Sequence, residues 1–116
     1  MELVKYNNSK VVHRTQGSNP FTRGRYDRIR FMNGYGASVV QNDISYGNDR
    51  GLLEIAVLRF SGQGPNEFEL CYNTPITHDV IGFLSQDDAR AILDQIASLP
   101  PDAQALAGAI LEEMNT

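Results

Sequence analysis

Four arginines crowd a short stretch of the chain, and a tyrosine lies among them: Arg23, Arg25, Arg28 and Arg30, with Tyr26 interleaved. Residues two apart in an extended strand share a face, so Arg28, Arg30 and Tyr26 are expected on one side. Guanidinium groups bind phosphates and carboxylates, and a tyrosine ring stacks on a base or fills a protein interface. The stretch therefore predicts a patch for a phosphate backbone or an acidic protein. A solvated outer sheet face would have the same composition.

Tyr46 and Arg50 lie in a predicted loop over residues 42–51 and could extend this patch. The loop is glycine-containing, as is the segment at residues 62–65. Neither matches a phosphate-binding fingerprint, which needs a following lysine or a glycine pattern that opens a helix. Both segments are predicted to be turns, and no nucleotide cofactor is expected.

Cys71, His78 and Asp79 could in principle assemble a thiol nucleophile, a base and an orienting acid. None of the local cysteine-protease signatures surrounds Cys71, the single cysteine of the chain. A metal site would require His13 and His78 to converge, and no zinc-binding spacing supports it. We expect no catalytic residues, no metal and no cofactor, with a small enzyme or ligand-binding domain as an alternative.

Composition is that of an ordinary globular chain of 116 residues with a net charge of −4. Residues 1–45 hold seven basic and three acidic residues, whereas residues 46–116 hold three basic and eleven acidic ones. This polarity could reflect two binding faces, self-association into a homodimer, or simply different solvating charges on sheet and helix surfaces. The chain lacks the run of ~18 apolar residues that a membrane-spanning helix needs. With one cysteine and no secretory signal pattern, we expect a cytoplasmic protein without membrane contact.

The elements that would position these residues have the two-residue period of strands up to about residue 84. Asn33-Gly34 between two alternating runs predicts a hairpin with a type I′ turn. The segment Leu52–Phe60 is apolar on both faces and is predicted to be a central strand. In Glu67–Tyr72, the face that carries Phe68, Leu70 and Tyr72 is predicted to be the apolar one.

Turn-forming and helix-capping residues predict the secondary structure near both ends of the chain. Short runs at residues 3–6 and 10–13 predict an N-terminal hairpin, followed by a polar loop over residues 15–24. Residues 79–84 fit either a strand or one helical turn. Ser85 is a predicted N-cap with Asp88 completing a capping box, and the helix should end before Pro100-Pro101. A second helix is predicted from Asp102.

Together these signals predict an α+β fold: an antiparallel, meander-like sheet of about five strands with two C-terminal helices packed on one face. We expect a single domain over residues 1–116, divided into an N-terminal hairpin and loop (1–24), the sheet (25–84) and the helices (85–116). The predicted buried residues are Ile29, Phe31, Val39, Leu53, Ile55, Val57, Phe68, Leu70, Ile92, Leu93, Ile96 and Ile110.

Five segments between Asn33 and Leu99 form a recognisable pattern. The first three are Asn-Gly-Tyr-Gly-Ala-Ser-Val-Val from residue 33, Ser-Tyr-Gly from residue 45 and Gly-Leu-Leu-Glu-Ile-Ala-Val-Leu from residue 51. The other two are Cys-Tyr-Asn-Thr-Pro-Ile-Thr from residue 71 and Asp-Val-Ile-Gly-Phe-Leu-Ser from residue 79. In their order and spacing these segments resemble a family of small proteins encoded by tailed bacteriophages and prophages. These proteins are mostly described without a function, so the resemblance implies a phage origin and no particular chemistry.

We therefore expect a small non-enzymatic phage accessory protein that binds and modulates a host protein. An inhibitor of a bacterial defence system, of the anti-CRISPR type, is the most specific form of this hypothesis. The alternative is a nucleic-acid-binding module that uses the arginine-rich strand. The expected binding residues are Arg23, Arg25, Tyr26, Arg28, Arg30, Tyr46 and Arg50.

Overall fold

The computed structural model describes residues 3–21, 23–42, 50–62, 64, 67–77 and 79–101. Within these ranges the chain forms six strands and one helix. The strands are β1 (Val11–Asn19), β2 (Gly24–Phe31), β3 (Tyr35–Gln41), β4 (Leu53–Phe60), β5 (Phe68–Leu70) and β6 (Ile81–Leu84), and the helix is α1 (Gln86–Ala97). The predicted α+β class is confirmed.

The first five strands form an antiparallel meander in the order β1-β2-β3-β4-β5, as the sequence predicted. The sixth strand, β6, resolves the ambiguity at residues 79–84. It pairs with β4 near Leu53 and Ile55, whereas β5 pairs with residues 58–60 of the same strand. Because β3 occupies the other edge of β4, β5 and β6 share one edge of this central strand in succession.

The turn between β2 and β3 differs from the predicted type I′ turn. Gly34 has a φ of 88°, but Asn33 is not among the residues with positive φ. The Gly34 N–H donates to Phe31 O over 3.2 Å, which closes a three-residue loop with glycine at its left-handed position. Asn33 keeps an ordinary φ and aims its side chain at the end of α1, with Nδ2 donating to Ile96 O over 2.9 Å.

The N-terminal prediction is wrong in its boundaries. Residues 3–6 form no strand, and the predicted loop over residues 15–24 is largely occupied by β1, which pairs with β2 from Val11 to Asn19. An edge strand with polar side chains lacks the apolar alternation on which the prediction depended. Gly17 pairs with Tyr26. Glycine suits this position because a Cβ there would lie 2.6 Å from the Tyr26 hydroxyl.

The core lies on one face of the sheet, where α1 packs against β3, β4 and β6. Leu3, Val4 and Tyr6 of the N-terminal segment join this core. The prediction is confirmed for the buried residues Ile29, Phe31, Val39, Leu53, Ile55, Val57, Leu93 and Ile96. Ile92 and Phe68 are half-buried, and Ile110 lies outside the described residues.

The burial predicted for β5 is wrong. Leu70 is 51% exposed, and its neighbour Cys71 is buried in the core. Leu70 pairs with Leu58, so its side chain projects from the face of the sheet opposite α1. The alternation of residue types along this segment correctly assigned its side chains to two faces, but it did not indicate which face α1 covers.

The helix start is confirmed in detail. Ser85 Oγ accepts from the Asp88 N–H over 3.1 Å, and the Ser85 N–H donates back to the Asp88 carboxylate, which forms the capping box. The α-helix ends at Ala97, followed by the C-cap Ser98, shortly before the two prolines. The second helix predicted from Asp102 lies outside the described residues.

Candidate binding face

The face of the sheet opposite α1 carries the basic and aromatic side chains of β2. In this strand Asp27, Ile29 and Phe31 are buried, whereas Tyr26 and the two arginines that alternate with them are half-buried. Tyr26, Arg28 and Arg30 therefore share one face, as their spacing predicted. We call this side of the sheet the open face.

Two phenylalanines from later strands complete the arrangement on the open face. Phe60 of β4 and Phe68 of β5 are paired in the sheet, and their ring centroids lie 5.6 Å apart. The Arg28 Cζ lies 4.6 Å from the Phe68 centroid and 5.3 Å from the Tyr26 centroid. The Arg30 Cζ lies 4.8 Å from the Phe60 centroid. These five residues form what we call the arginine–aromatic layer.

The layer holds its arginines in defined positions. A guanidinium over an aromatic face gains about 0.5–1 kcal/mol at an exposed site, and more when water is excluded. Arg30 is fixed further because Nη1 donates to Gly62 O over 2.8 Å. A ligand therefore meets side chains that have already lost part of their rotamer freedom, which reduces the entropic cost of binding.

The other predicted arginines lie elsewhere. Arg23 and Arg25 are exposed at the start of β2, and Arg50 is exposed shortly before β4. Alternate strands run in the same direction, so all three lie at one end of the sheet, which we call the sheet end. Phe21, 95% exposed, and Phe83, 54% exposed, lie there as well, and the Arg50 Cζ is 5.9 Å from the Phe83 centroid.

The predicted patch is thus two surfaces. Tyr26, Arg28 and Arg30 belong to the open face, and Arg23, Arg25 and Arg50 belong to the sheet end. Tyr46 lies outside the described residues. The phenylalanines of the layer were missed because they are about 30 to 40 residues from the arginines in sequence, and only the strand register brings them together.

The alternative thiol site is not assembled by the residues that the structure describes. Cys71 is buried, and its Sγ donates to Asn73 Oδ1 over 3.0 Å. Asp79 is exposed in a turn, where its N–H donates to Thr77 Oγ1 over 3.1 Å. His78 lies outside the described residues. Within the described ranges, no three His, Cys, Asp or Glu side chains converge as metal ligands would.

A polar network, which the sequence pattern did not predict, fixes the N-terminal segment beside the sheet. Arg14 Nε donates to Asp27 Oδ1 over 2.7 Å, although the Asp27 side chain is fully buried. The Tyr6 hydroxyl donates to Asp94 Oδ1 of α1 over 2.8 Å. Burial, together with this bond to a carboxylate, raises the pKa of the Tyr6 hydroxyl far above its usual value.

Membrane-spanning potential is absent from the described part of the chain, whose helix is too short and too polar to cross a bilayer. Comparison with models of protein families, with characterised proteins and with solved structures finds no match to this chain.

Proposed function

We propose that this protein acts by binding, without catalysis, and that it recognises an acidic surface of a partner protein through its open face. The observation that supports this most directly is the arginine–aromatic layer. Arg28 is positioned by Tyr26 and Phe68, and Arg30 by Phe60. Arginine and tyrosine are enriched among the residues that dominate protein interfaces, because they combine apolar contact area with directional polar groups.

The chemistry of the layer favours carboxylates on the partner. Guanidinium groups match carboxylates geometrically and can form two parallel hydrogen bonds with one of them. The half-buried rings of Tyr26 and Phe68 add apolar area that a protein surface can cover, whereas the Phe60 ring is buried beneath Arg30. Leu70, 51% exposed beside Phe68 in β5, extends this area. A partner with acidic residues around an apolar centre fits this combination.

The resemblance to phage proteins supports a bacterial host protein as the partner, met in the host cytoplasm. The most specific form of the proposal is an inhibitor of a bacterial defence system, of the anti-CRISPR type. Such an inhibitor needs a rigid surface complementary to its target and no catalytic residues. The layer supports this proposal because its side chains come from β2, β4 and β5 of one hydrogen-bonded sheet, which holds them in defined positions.

Affinity capture from bacterial lysates, followed by mass spectrometry, tests the proposal. The tagged protein should retain one or a few defined proteins, and the double variant Arg28→Ala plus Arg30→Ala should lose them. The matched control is Arg23→Ala plus Arg25→Ala, which removes the same charge from the sheet end and should retain them. Capture of background proteins alone, or equal loss in both variants, would contradict recognition through the open face.

Nucleic acid is a second candidate, favoured by the Tyr26 and Phe68 rings beside Arg28, since bases stack on aromatic side chains. Two layer arginines offer few phosphate contacts, however, and Glu54 of β4 projects from the same face by strand alternation. If nucleic acid binds here, the logarithm of the association constant should fall linearly with the logarithm of the salt concentration. The magnitude of the slope should not exceed about 2, because two arginines contact at most two phosphates.

Lysine substitution separates the two candidates. Arg28→Lys plus Arg30→Lys keeps the net charge but removes the planar fork that matches a carboxylate. Protein binding should then fall nearly as far as in the alanine variant, whereas contact with a phosphate backbone should largely survive. Retained affinity for DNA or RNA in the lysine variant, with a measurable salt slope, would favour the nucleic-acid candidate.

A further inference from the structure

The first strand, β1, is a long edge strand that carries little protection against further pairing. It spans nine residues, Val11–Asn19, and among the described residues only β2 pairs with it. Exposed edges usually carry proline or outward charges that discourage pairing with another strand. This strand has no proline, Arg14 is its one lysine or arginine, and Val12 is 55% exposed. A β-bulge interrupts its pairing with β2 between Val11 and His13, so the regular part of the edge runs from His13 to Asn19.

The ladder defines which backbone groups of β1 point away from the sheet. The Phe60 N–H donates to Gly34 O over 2.9 Å, in register with the pairing of β3 and β4. Hydrogen-bonded pairs alternate along antiparallel strands, so this bond sets the alternation through β3 and β2. It follows that the N–H and C=O groups of Arg14, Gln16 and Ser18 face outward from β1.

The charge of β1 suits a second copy of the same strand. In a twofold pairing, a charge near the axis lies close to the same charge of the second copy, so a charge there that no other group neutralises would be repelled. Arg14 avoids this because its guanidinium is paired with the buried Asp27 of the same chain. The side chains of Val11, Val12, Thr15, Gln16, Ser18 and Asn19 in the same strand are uncharged.

We propose that two copies of this chain pair antiparallel through β1 about a twofold axis at Thr15. This register is centred in the regular part of β1, beyond the bulge between Val11 and His13, and makes Arg14 and Gln16 a hydrogen-bonded pair between copies. It places Thr15 opposite Thr15 of the second copy, in the closer, non-hydrogen-bonded kind of pair.

This register also brings together two features from opposite ends of β1: the exposed Phe21, which follows the strand, and a cleft beside residues 5–9, which precede it. Asn19 of the second copy lies opposite Val11, so the turn that follows, with its exposed Phe21, comes beside residues 5–9. There the surface has a cleft of about 730 Å³, lined by Lys5, Tyr6, Asn7, Asn8, Val11 and Arg14. Phe21, 95% exposed in the single chain, would occupy the apolar side of this cleft.

The axis runs perpendicular to the sheet, so the dimer presents both arginine–aromatic layers on one continuous face. The pairing itself does not depend on a partner for that face. It is therefore tested with the purified protein alone.

Sedimentation velocity over a concentration series tests the pairing. The wild type should shift with concentration towards twice the chain mass of 12.9 kDa. Gln16→Pro removes one outward N–H from each copy and leaves the β1–β2 bonds intact, so it should weaken dimerisation at least about tenfold. Gln16→Ala, which keeps the N–H, is the matched control. A monomer at every concentration, or a dimer equally stable in both variants, would overturn the proposal.

Cross-linking provides a measurement that does not depend on the proline variant. In a Cys71→Ser background, Thr15→Cys should form an intermolecular disulfide under mild oxidation, because residues at the axis face each other. Val12→Cys should not, because Val12 faces Ser18 and lies about 20 Å from Val12 of the second copy. Equal cross-linking of both variants, or none for Thr15→Cys, would overturn the proposed register.

Discussion

At the scale of single residues, Arg14 makes the contacts that join the N-terminal segment to the sheet. Besides its bonds to Asp27, its guanidinium donates to Tyr6 O over 2.9 Å and to Val4 O over 2.8 Å. One side chain therefore satisfies a fully buried carboxylate and two backbone carbonyls. Such a group is costly to disturb, because removal of one partner leaves the others without compensation.

The Asp27→Asn variant tests this ion pair. Loss of the carboxylate charge leaves the half-buried Arg14 beside a neutral amide, and the free energy of unfolding should fall by about 3 kcal/mol or more. Urea denaturation followed by circular dichroism measures the change. Asp87→Asn, which breaks the exposed pair with Arg90, is the control and should change little. Similar losses in both variants would contradict the account.

Tyr6 gives a prediction about pH. Its pKa is raised above the ordinary 10.0, first by burial and then by its bond to Asp94. The unfolded state then loses the proton before the folded state does, so the contribution of Tyr6 to stability is complete below pH 10 and declines above it.

Unfolding free energies of the wild type and Tyr6→Phe should therefore converge as the pH rises above 10. Groups that titrate in both proteins cancel in this comparison. A difference between the two proteins that stays constant through this range would contradict the raised pKa.

At the scale of elements, the turn between β2 and β3 is joined to the end of α1. The Asn33 amide donates to the backbone oxygens of Ile96, Ala97 and Leu99, and its Oδ1 accepts from the Tyr35 N–H. The last carbonyls of a helix have no partner within the helix, and this side chain supplies one. The turn and the helix therefore stabilise each other.

Asn33→Ala should lower the free energy of unfolding by about 2 kcal/mol, since it removes this donor from the Ala97 and Leu99 carbonyls, whereas the Ile96 carbonyl still accepts from the Leu99 N–H. Thermal unfolding measures this loss. Met32→Ala, in the same turn at a residue 65% exposed, is the matched control and should have a small effect. An unchanged melting temperature for Asn33→Ala would show that the helix end is satisfied in another way.

At the scale of the whole molecule, the features that the sequence predicted correctly are encoded within a few residues. The capping box needs only Ser85 and Asp88. The shared face of Tyr26, Arg28 and Arg30 follows from the two-residue period of a strand. The buried strand β4 follows from its apolar run. Each of these patterns predicts its structure whatever other part of the chain packs against the segment.

The features that the sequence analysis missed depend on partners far apart in the chain. The strand β1 is polar and is held by pairing with β2, so its own pattern resembles a loop. Asp27 is buried because Arg14, 13 residues earlier, neutralises it. The rings beneath Arg28 and Arg30 come from β4 and β5. Periodicity carries no information about such contacts, which require the register of the sheet.

Calorimetric titration measures whether the arginine–aromatic layer binds an acidic partner protein. The captured partner is titrated with three proteins: the wild type, Arg28→Ala plus Arg30→Ala, and Arg23→Ala plus Arg25→Ala. If the layer is the core of the interface, the open-face variant should bind at least about thirtyfold more weakly, which corresponds to about 2 kcal/mol. The sheet-end variant should stay within a few-fold of the wild type. Wild-type affinity in the open-face variant, with its fold intact by circular dichroism, would contradict the account.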